Sequence, residues 1–319
     1  MTASHVAAHP SVSTSTTNLV QPGDQVLSVK PVVLPAPGRG VGLQVRVSAP
    51  SGGTDLPVIV FAHGFGKAMD SYDPLVDFWA AHGFVVVQPT LLDSLTLGLT
   101  PTDPRYPDIW RTRIDDLERV IDDLDDVLAA VPGLTGRVDQ SRLAVAGHSW
   151  GGQSVGMLLG ARVVDADGQP GPDATDPRVK AGVLLSTPGV GGGNLTPFAQ
   201  ENFAFMSPDF TQLNTPALVV AGDHDQSALS TRGPDWFTDV YRFSPGARSL
   251  VTLYRGEHTL GGIQAYKATD TTDESPARVD LVRRTTTAFL NKALGGGSAA
   301  WDQVSVAAAT EHAGRIDSK

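Results

Sequence analysis

The stretch LAVAGHSWGGQSV, residues 143–155, sets one serine among small residues: Gly147 and His148 precede Ser149, and Trp150, Gly151 and Gly152 follow it. An apolar run leads in and a helical pattern leads out. A sharp turn from strand into helix brings backbone segments so close that only residues with little or no side chain fit beside it. Such a turn would leave Ser149 exposed at its tip, and the G-x-S-x-G spacing is that of a nucleophile elbow at the head of a sheet. Small residues are common, so the spacing by itself is only moderately specific. Its place between a strand and a helix gives it weight.

Working outward, short β-branched runs alternate with helical patterns. Strands are predicted over 42–49, 57–64, 83–90, 142–149, 180–187, 216–223 and 249–256. Several are nearly continuous in apolar residues, as strands buried on both faces of a helix-covered parallel sheet are. One long helix is expected over 108–131, with Trp110, Ile114, Leu117, Ile121, Leu124 and Leu128 forming its apolar stripe. Its carboxylates, Asp115, Asp116, Asp122, Asp123, Asp125 and Asp126, read as a solvated face rather than a metal site. A closing helix over 275–294 is capped by Ser275 with Pro276 at its first position. The alternation predicts a doubly wound α/β sheet, mostly parallel, with ligands bound at the carboxyl ends of the strands.

No second composition regime or repeat appears, so one catalytic domain is expected over 25–294. The Ser/Thr-rich residues 1–24 read as a disordered leader. GGGSAA, residues 295–300, opens what is expected to be a flexible tail over 295–319. The first twenty residues have neither a basic start nor an apolar stretch of the signal-peptide kind, which reads as a cytoplasmic protein; secretion of a trimmed form is the alternative. No segment approaches the roughly 20 apolar residues of a membrane span.

The 319 residues carry 24 Lys and Arg against 34 Asp and Glu, a formal charge of −10. That field disfavours nucleic acid or an anionic membrane as a partner and leaves small neutral or cationic molecules. The chain has no cysteine, which excludes disulfides, a thiol nucleophile and a thiolate zinc site. No clustered spacing of His and carboxylates suggests a metal.

A serine hydroxyl is a weak nucleophile at neutral pH, so Ser149 needs a base, a group that orients the base, and N–H donors for the oxyanion. Of eight histidines, His5, His9 and His312 lie in the terminal segments, His63 ends an early strand, His82 ends a helix, and His148 is expected to be buried and turned away from its neighbour. His258, in LYRGEHTLGG just past the last strand, is preferred to His224 as the base. The acid lies in LVVAGDHDQS. Asp225 is preferred because the loop needs two or three residues to turn back toward the histidine, with Asp223 as a turn former that accepts backbone hydrogen bonds. The order Ser149, Asp225, His258 is one of three unrelated triad orders, that of the α/β-hydrolases. The oxyanion donors would be the backbone N–H groups of Trp150 and of Phe65 in FAHGFG, residues 61–66; Gly64 is the alternative to Phe65.

With these residues in place, the chain resembles the serine α/β-hydrolases, and within them the chlorophyllase-like, platelet-activating-factor acetylhydrolase-like and cutinase-type polyester-hydrolase branch. The resemblance rests on FAHGFG (61–66), AAHGFVVVQP (80–89), AGHSWGG (146–152), AGDHD (221–225) and GEHTLGG (256–262), and extends from about 25 to 294. It implies an α/β-hydrolase fold with a mostly parallel central sheet of about eight strands flanked by helices. It also implies a Ser-Asp-His triad, a two-donor oxyanion hole, no cofactor, and hydrolysis of carboxylic esters. The absence of cysteines departs from the polyester hydrolases, which carry them near the C-terminal loop.

The expected substrate is a small to medium apolar ester, taken as a small molecule. An amidase, peptidase or perhydrolase with the same triad, or a polyester hydrolase, is the alternative, and a non-catalytic binding module would have lost a triad position. Substrate choice should lie in the long loops 91–110 and 186–210. Phe65 and Trp150 are expected to line the pocket, and Phe203, Phe205 and Met206 of the second loop could join them.

Overall fold

The computed structural model describes residues 23–319 except 101, 268, 270 and 311. The leader expected over 1–24 falls, but for its last two residues, outside the described residues. In chain order the elements are β1 (Val26–Leu34), β2 (Leu43–Pro50), β3 (Leu56–Ala62), α1 (Asp73–Ala81), β4 (Val85–Pro89), α2 (Ile109–Asp122), α3 (Leu124–Ala129) and β5 (Val138–His148). Then come α4 (Trp150–Leu158), β6 (Arg162–Val163), β7 (Val179–Leu185), α5 (Pro197–Asn202), β8 (Pro208–Asp209), β9 (Ala217–Gly222) and α6 (Asp239–Phe243). The chain closes with β10 (Ala247–Leu253), α7 (Pro276–Ala293), α8 (Ala299–Ala308) and β11 (Gly314–Ser318).

Nine strands form one sheet in the order β1-β2-β4-β3-β5-β7-β9-β10-β11. The six from β4 to β10 run parallel, whereas β2 pairs antiparallel with β4, β1 with β2, and β11 with β10. The pleat explains the continuous apolar runs. In β3, Val58, Val60 and Ala62 enter one core, and Ile59 and Phe61 enter the other. The helices α1, α7 and α8 cover one face, and α2, α3, α4 and α6 the other. Across the core that takes Ile59 and Phe61, the Trp79 Nε1–H of α1 donates to Thr286 Oγ1 of α7 at 3.1 Å.

All seven strands expected from sequence are present. Of the four strands missed, β6 and β8 are a two-residue pairing, and β1 and β11 are the edges of the main sheet, where alternation is weak: β1 is half exposed, carries Pro31, and slips register between Val29 and Val32. The helix expected over 108–131 is broken at Asp123 into α2 and α3. Asp116 is not part of a solvated face. It is 1% exposed, and the Arg39 Nε–H donates to both its oxygens at 2.9 and 3.0 Å.

The flexible tail expected over 295–319 is also corrected. Trp301, Val304 and Ala308, spaced three and four residues apart, bury one face of α8, and the Trp301 ring meets Phe289 of α7 edge-on at 5.9 Å. The chain then returns as β11, which pairs with β10 from Leu253↔Gly314 to Ser249↔Ser318. The glycine run is a hinge into an ordered element because β10 would otherwise leave an open edge.

Candidate active site

Ser149 joins β5 to α4 with φ 55° and ψ −123°, a conformation that non-glycine residues rarely adopt. Its N–H donates to the Leu185 carbonyl of β7 at 2.9 Å, so the strained residue is held by the sheet. The glycines around it are sterically required. A Cβ at Gly147 would lie 2.3 Å from the Gly151 oxygen, one at Gly151 would lie 2.0 Å from the Ala62 oxygen of β3, and one at Gly152 would lie 1.9 Å from Thr187 Oγ1.

Three loops at the carboxyl ends of the strands meet at this turn. His258, past β10, places Nε2 2.9 Å from Ser149 Oγ, and its Nδ1 lies 3.1 Å from each oxygen of Asp225. Asp225 follows β9 and is fully buried. It is Asp225 whose carboxylate meets the imidazole; Asp223 Oδ1 accepts the Arg255 N–H at 2.5 Å instead. The contacts fix the imidazole tautomer: with Nδ1–H donated to the carboxylate, Nε2 is free to accept the serine proton. Such a chain can generate an alkoxide-like nucleophile at neutral pH.

Two residues that hold this geometry escaped the sequence reading. Asp273 is buried and folds the His258 loop: its Oδ2 accepts the N–H groups of Glu257 at 2.8 Å and Gly261 at 2.9 Å, and its Oδ1 accepts the Thr259 hydroxyl at 2.6 Å. Tyr72 joins His148 to the loop after β3. The Gly64 N–H donates to Tyr72 Oη at 3.0 Å, and the Tyr72 hydroxyl contacts His148 Nδ1 at 2.9 Å. His148 Nε2 lies 2.7 Å from the His258 carbonyl, so it donates there while Nδ1 accepts from tyrosine. Burial holds the His148 pKa down to about 3, with the neighbouring His258 a lesser cause, and the ring stays neutral. His148 therefore supports the backbone of His258 and is turned from Ser149, as its place on the turn implies.

The same network bears on the oxyanion donors. The N–H of Gly64 is engaged by Tyr72, which leaves Phe65 as the candidate on that loop. Trp150 is the first residue of α4, where a backbone N–H has no helical carbonyl to bond. The rings of Phe65 and Trp150 pack with centroids 4.7 Å apart, which ties the loop after β3 to the start of α4.

A cavity of about 880 Å³ opens over Ser149, and its lining includes Phe65 along with Asp223, His224, Gln226 and Glu257. The aromatics expected from loop 186–210 lie elsewhere. Phe203 and Phe205 meet the Trp150 ring edge-on at 5.3 and 5.2 Å, and neither they nor Trp150, whose ring was also expected in the pocket, borders this cavity, because Trp150 turns toward Trp110 and Phe205 instead. Phe205 faces a separate groove of about 730 Å³ with Trp110 and Leu195. Met206 is 1% exposed and belongs to the core, because pairing of β8 with β6 draws this part of the loop inward. Among the described residues no cluster of three or more His, Asp or Glu side chains is placed to hold a metal, and no helix is long and apolar enough to cross a membrane.

A sequence model of the family described as Chlorophyllase matches residues 15–164. Together with the sheet order and the turn at Ser149, this decides the assignment. The chain has the α/β-hydrolase fold and is chlorophyllase-like over residues 15–164. Among curated proteins this hydrolase is similar to Chlorophyllase-1 of Arabidopsis thaliana, at 23% identity over 193 residues, 60% of the chain. The matched region spans about half the length of that relative, 51%. The family match takes in Phe65, Ser149 and Trp150 and ends before Asp225 and His258, so the second half of the hydrolase's site rests on geometry.

Proposed function

We propose that this hydrolase cleaves carboxylic esters of small to medium size by acyl transfer through Ser149. The observation that carries the reading is the unbroken contact chain Ser149 Oγ, His258, Asp225, set on a strained turn at the start of α4. In this reading His258 takes the Ser149 proton as Oγ attacks the ester carbonyl, and Asp225 stabilises the imidazolium. The N–H groups of Phe65 and Trp150 bind the oxyanion. His258 returns the proton to the leaving alcohol. Water, activated by the same imidazole, then releases the acid and restores the serine.

The test is hydrolysis of p-nitrophenyl acetate, butyrate, octanoate and palmitate by the wild type and by Ser149→Ala, His258→Ala and Asp225→Asn, with fluorophosphonate labelling read by mass spectrometry. Chlorophyll, to which the family name points, and an anilide matched to the best ester complete the substrate set. Label on Ser149 and a loss of about three or more orders of magnitude in the Ser149 and His258 variants are expected. A folded wild type that neither turns over any ester nor takes the label overturns the reading. Faster cleavage of the anilide moves it to an amidase.

A further inference from the structure

Behind the candidate oxyanion donors lies a buried cation whose charge no substrate can reach. Arg113 of α2 is 1% exposed and sits in line with Ile109 and Leu117 on the apolar side of its helix. Its Nη1–H donates to Asp93 Oδ1 at 2.5 Å, its Nη2–H donates to the His63 carbonyl, and its Nε–H donates to Ser154 Oγ at 3.0 Å. Each partner leads to one of the two donor segments. Asp93 Oδ2 accepts the Gly66 N–H at 3.3 Å, so the fork grips Phe65 from both sides, through His63 before it and Gly66 after it. Ser154, one turn into α4, donates its own O–H to the Trp150 carbonyl at 2.8 Å. The loop is tied further by His63, whose ring contacts the Gly64 carbonyl through Nδ1 at 2.7 Å and accepts the Leu91 N–H through Nε2 at 2.9 Å.

We infer that Arg113, acting through Asp93 and Ser154, is a positioning residue that fixes the Phe65 and Trp150 N–H groups relative to each other. A planar guanidinium offers donors at fixed angles, so one side chain sets three acceptors in a rigid frame. His63 belongs to the loop after β3, Asp93 follows β4 and holds Gly66 of that same loop, and Ser154 belongs to the helix after Ser149. Burial keeps water from competing for these bonds and makes the frame stiff. An oxyanion hole depends on donors placed in advance, because donors that reorganise during the reaction lose most of their effect.

The inference rests on the ester-hydrolase reading, and its test separates the two. Arg113→Lys keeps the charge and loses the fork; Ser154→Ala removes only the link to Trp150 and leaves the ion pair, so it keeps the test open if the lysine variant fails to fold. Active sites are counted by fluorophosphonate titration, so that rates refer to folded enzyme. An apolar trifluoromethyl ketone, which adds to Ser149 Oγ to give a tetrahedral oxyanion, measures the hole directly. We expect per-site kcat to fall about tenfold in Ser154→Ala and up to about a hundredfold in Arg113→Lys, short of losing a whole donor. KM and the pH profile, which report substrate contacts and His258, should stay unchanged, and the ketone should bind more weakly by the same factor as kcat falls. Per-site kcat and ketone affinity within twofold of an active wild type overturn the positioning role alone. A wild type inert toward esters and label overturns the ester-hydrolase reading, and the positioning role with it.

Discussion

At the scale of single residues, Ser149 trades stability for exposure. Its backbone angles favour glycine, and a residue with a Cβ held there is destabilised by about 1–3 kcal/mol. Ser149→Gly should therefore be more stable than Ser149→Ala by about 1 kcal/mol, both being inactive, as read from urea unfolding midpoints. Equal midpoints would mean that the turn is not strained. Much of the local chemistry was legible from sequence because it is written in short segments: Ser149 by its glycines, Asp225 and His258 by their places just after apolar runs. Arg113 and Asp116 were not legible, since a charge on a helix reads as solvated until its partner is known. Their partners, Asp93 and Arg39, lie 20 and 77 positions away. Arg113 did leave a trace, as a charged residue spaced four from both Ile109 and Leu117. Met206 was misread for the opposite reason. An apolar residue in a long loop suits a pocket as well as a core, and only the pairing of β6 with β8 decides between them.

At the scale of elements, strands buried on both faces announce themselves by composition, which is why the seven inner strands were found. Edge strands are half wet and lack that signal, and β11 also follows a glycine run that suggests an end to structure. The last two elements nevertheless belong to the fold. Trp301→Ala should remove about 3 kcal/mol of stability by leaving a cavity against Phe289. A chain ending at residue 294 should be less stable still and should associate through the bared edge of β10. Chemical unfolding and size-exclusion chromatography check both. An unchanged midpoint for Trp301→Ala would mean that α8 adds nothing to the core. Per-site activity should survive in Trp301→Ala, because no residue of α8 borders the cavity at Ser149.

At the scale of the whole molecule, acid is expected to loosen the fold through two neutral histidines. Burial holds His63 down to about 4 and His148 down to about 3, against about 6.5 in an unfolded chain. Between pH 6.5 and 4 the unfolded chain binds a proton on each ring that the folded chain refuses, so stability falls as pH falls, by up to about 1.4 kcal/mol per pH unit for each ring. Asp116 works in the opposite sense. Burial raises it to about 6 despite Arg39, so the stability it adds is present below its unfolded value near 4 and is lost as pH rises through 6. For these three groups together the slope is close to one proton. His148→Asn should remove its own share and flatten the dependence of unfolding free energy on pH between 4 and 6. A slope identical to wild type would mean that His148 is already charged in the folded protein.

The contact between Ser149 and His258 spans 109 positions of chain. A ribosome adding roughly 5–20 residues per second takes about 5–20 s to cross that distance. The loop that holds the imidazole waits longer, for Asp273. A nascent chain can thus display its elbow serine well before any base exists to activate it. Reactivity would arrive only once the chain has grown past Asp273, after the inner strands of the sheet have been made.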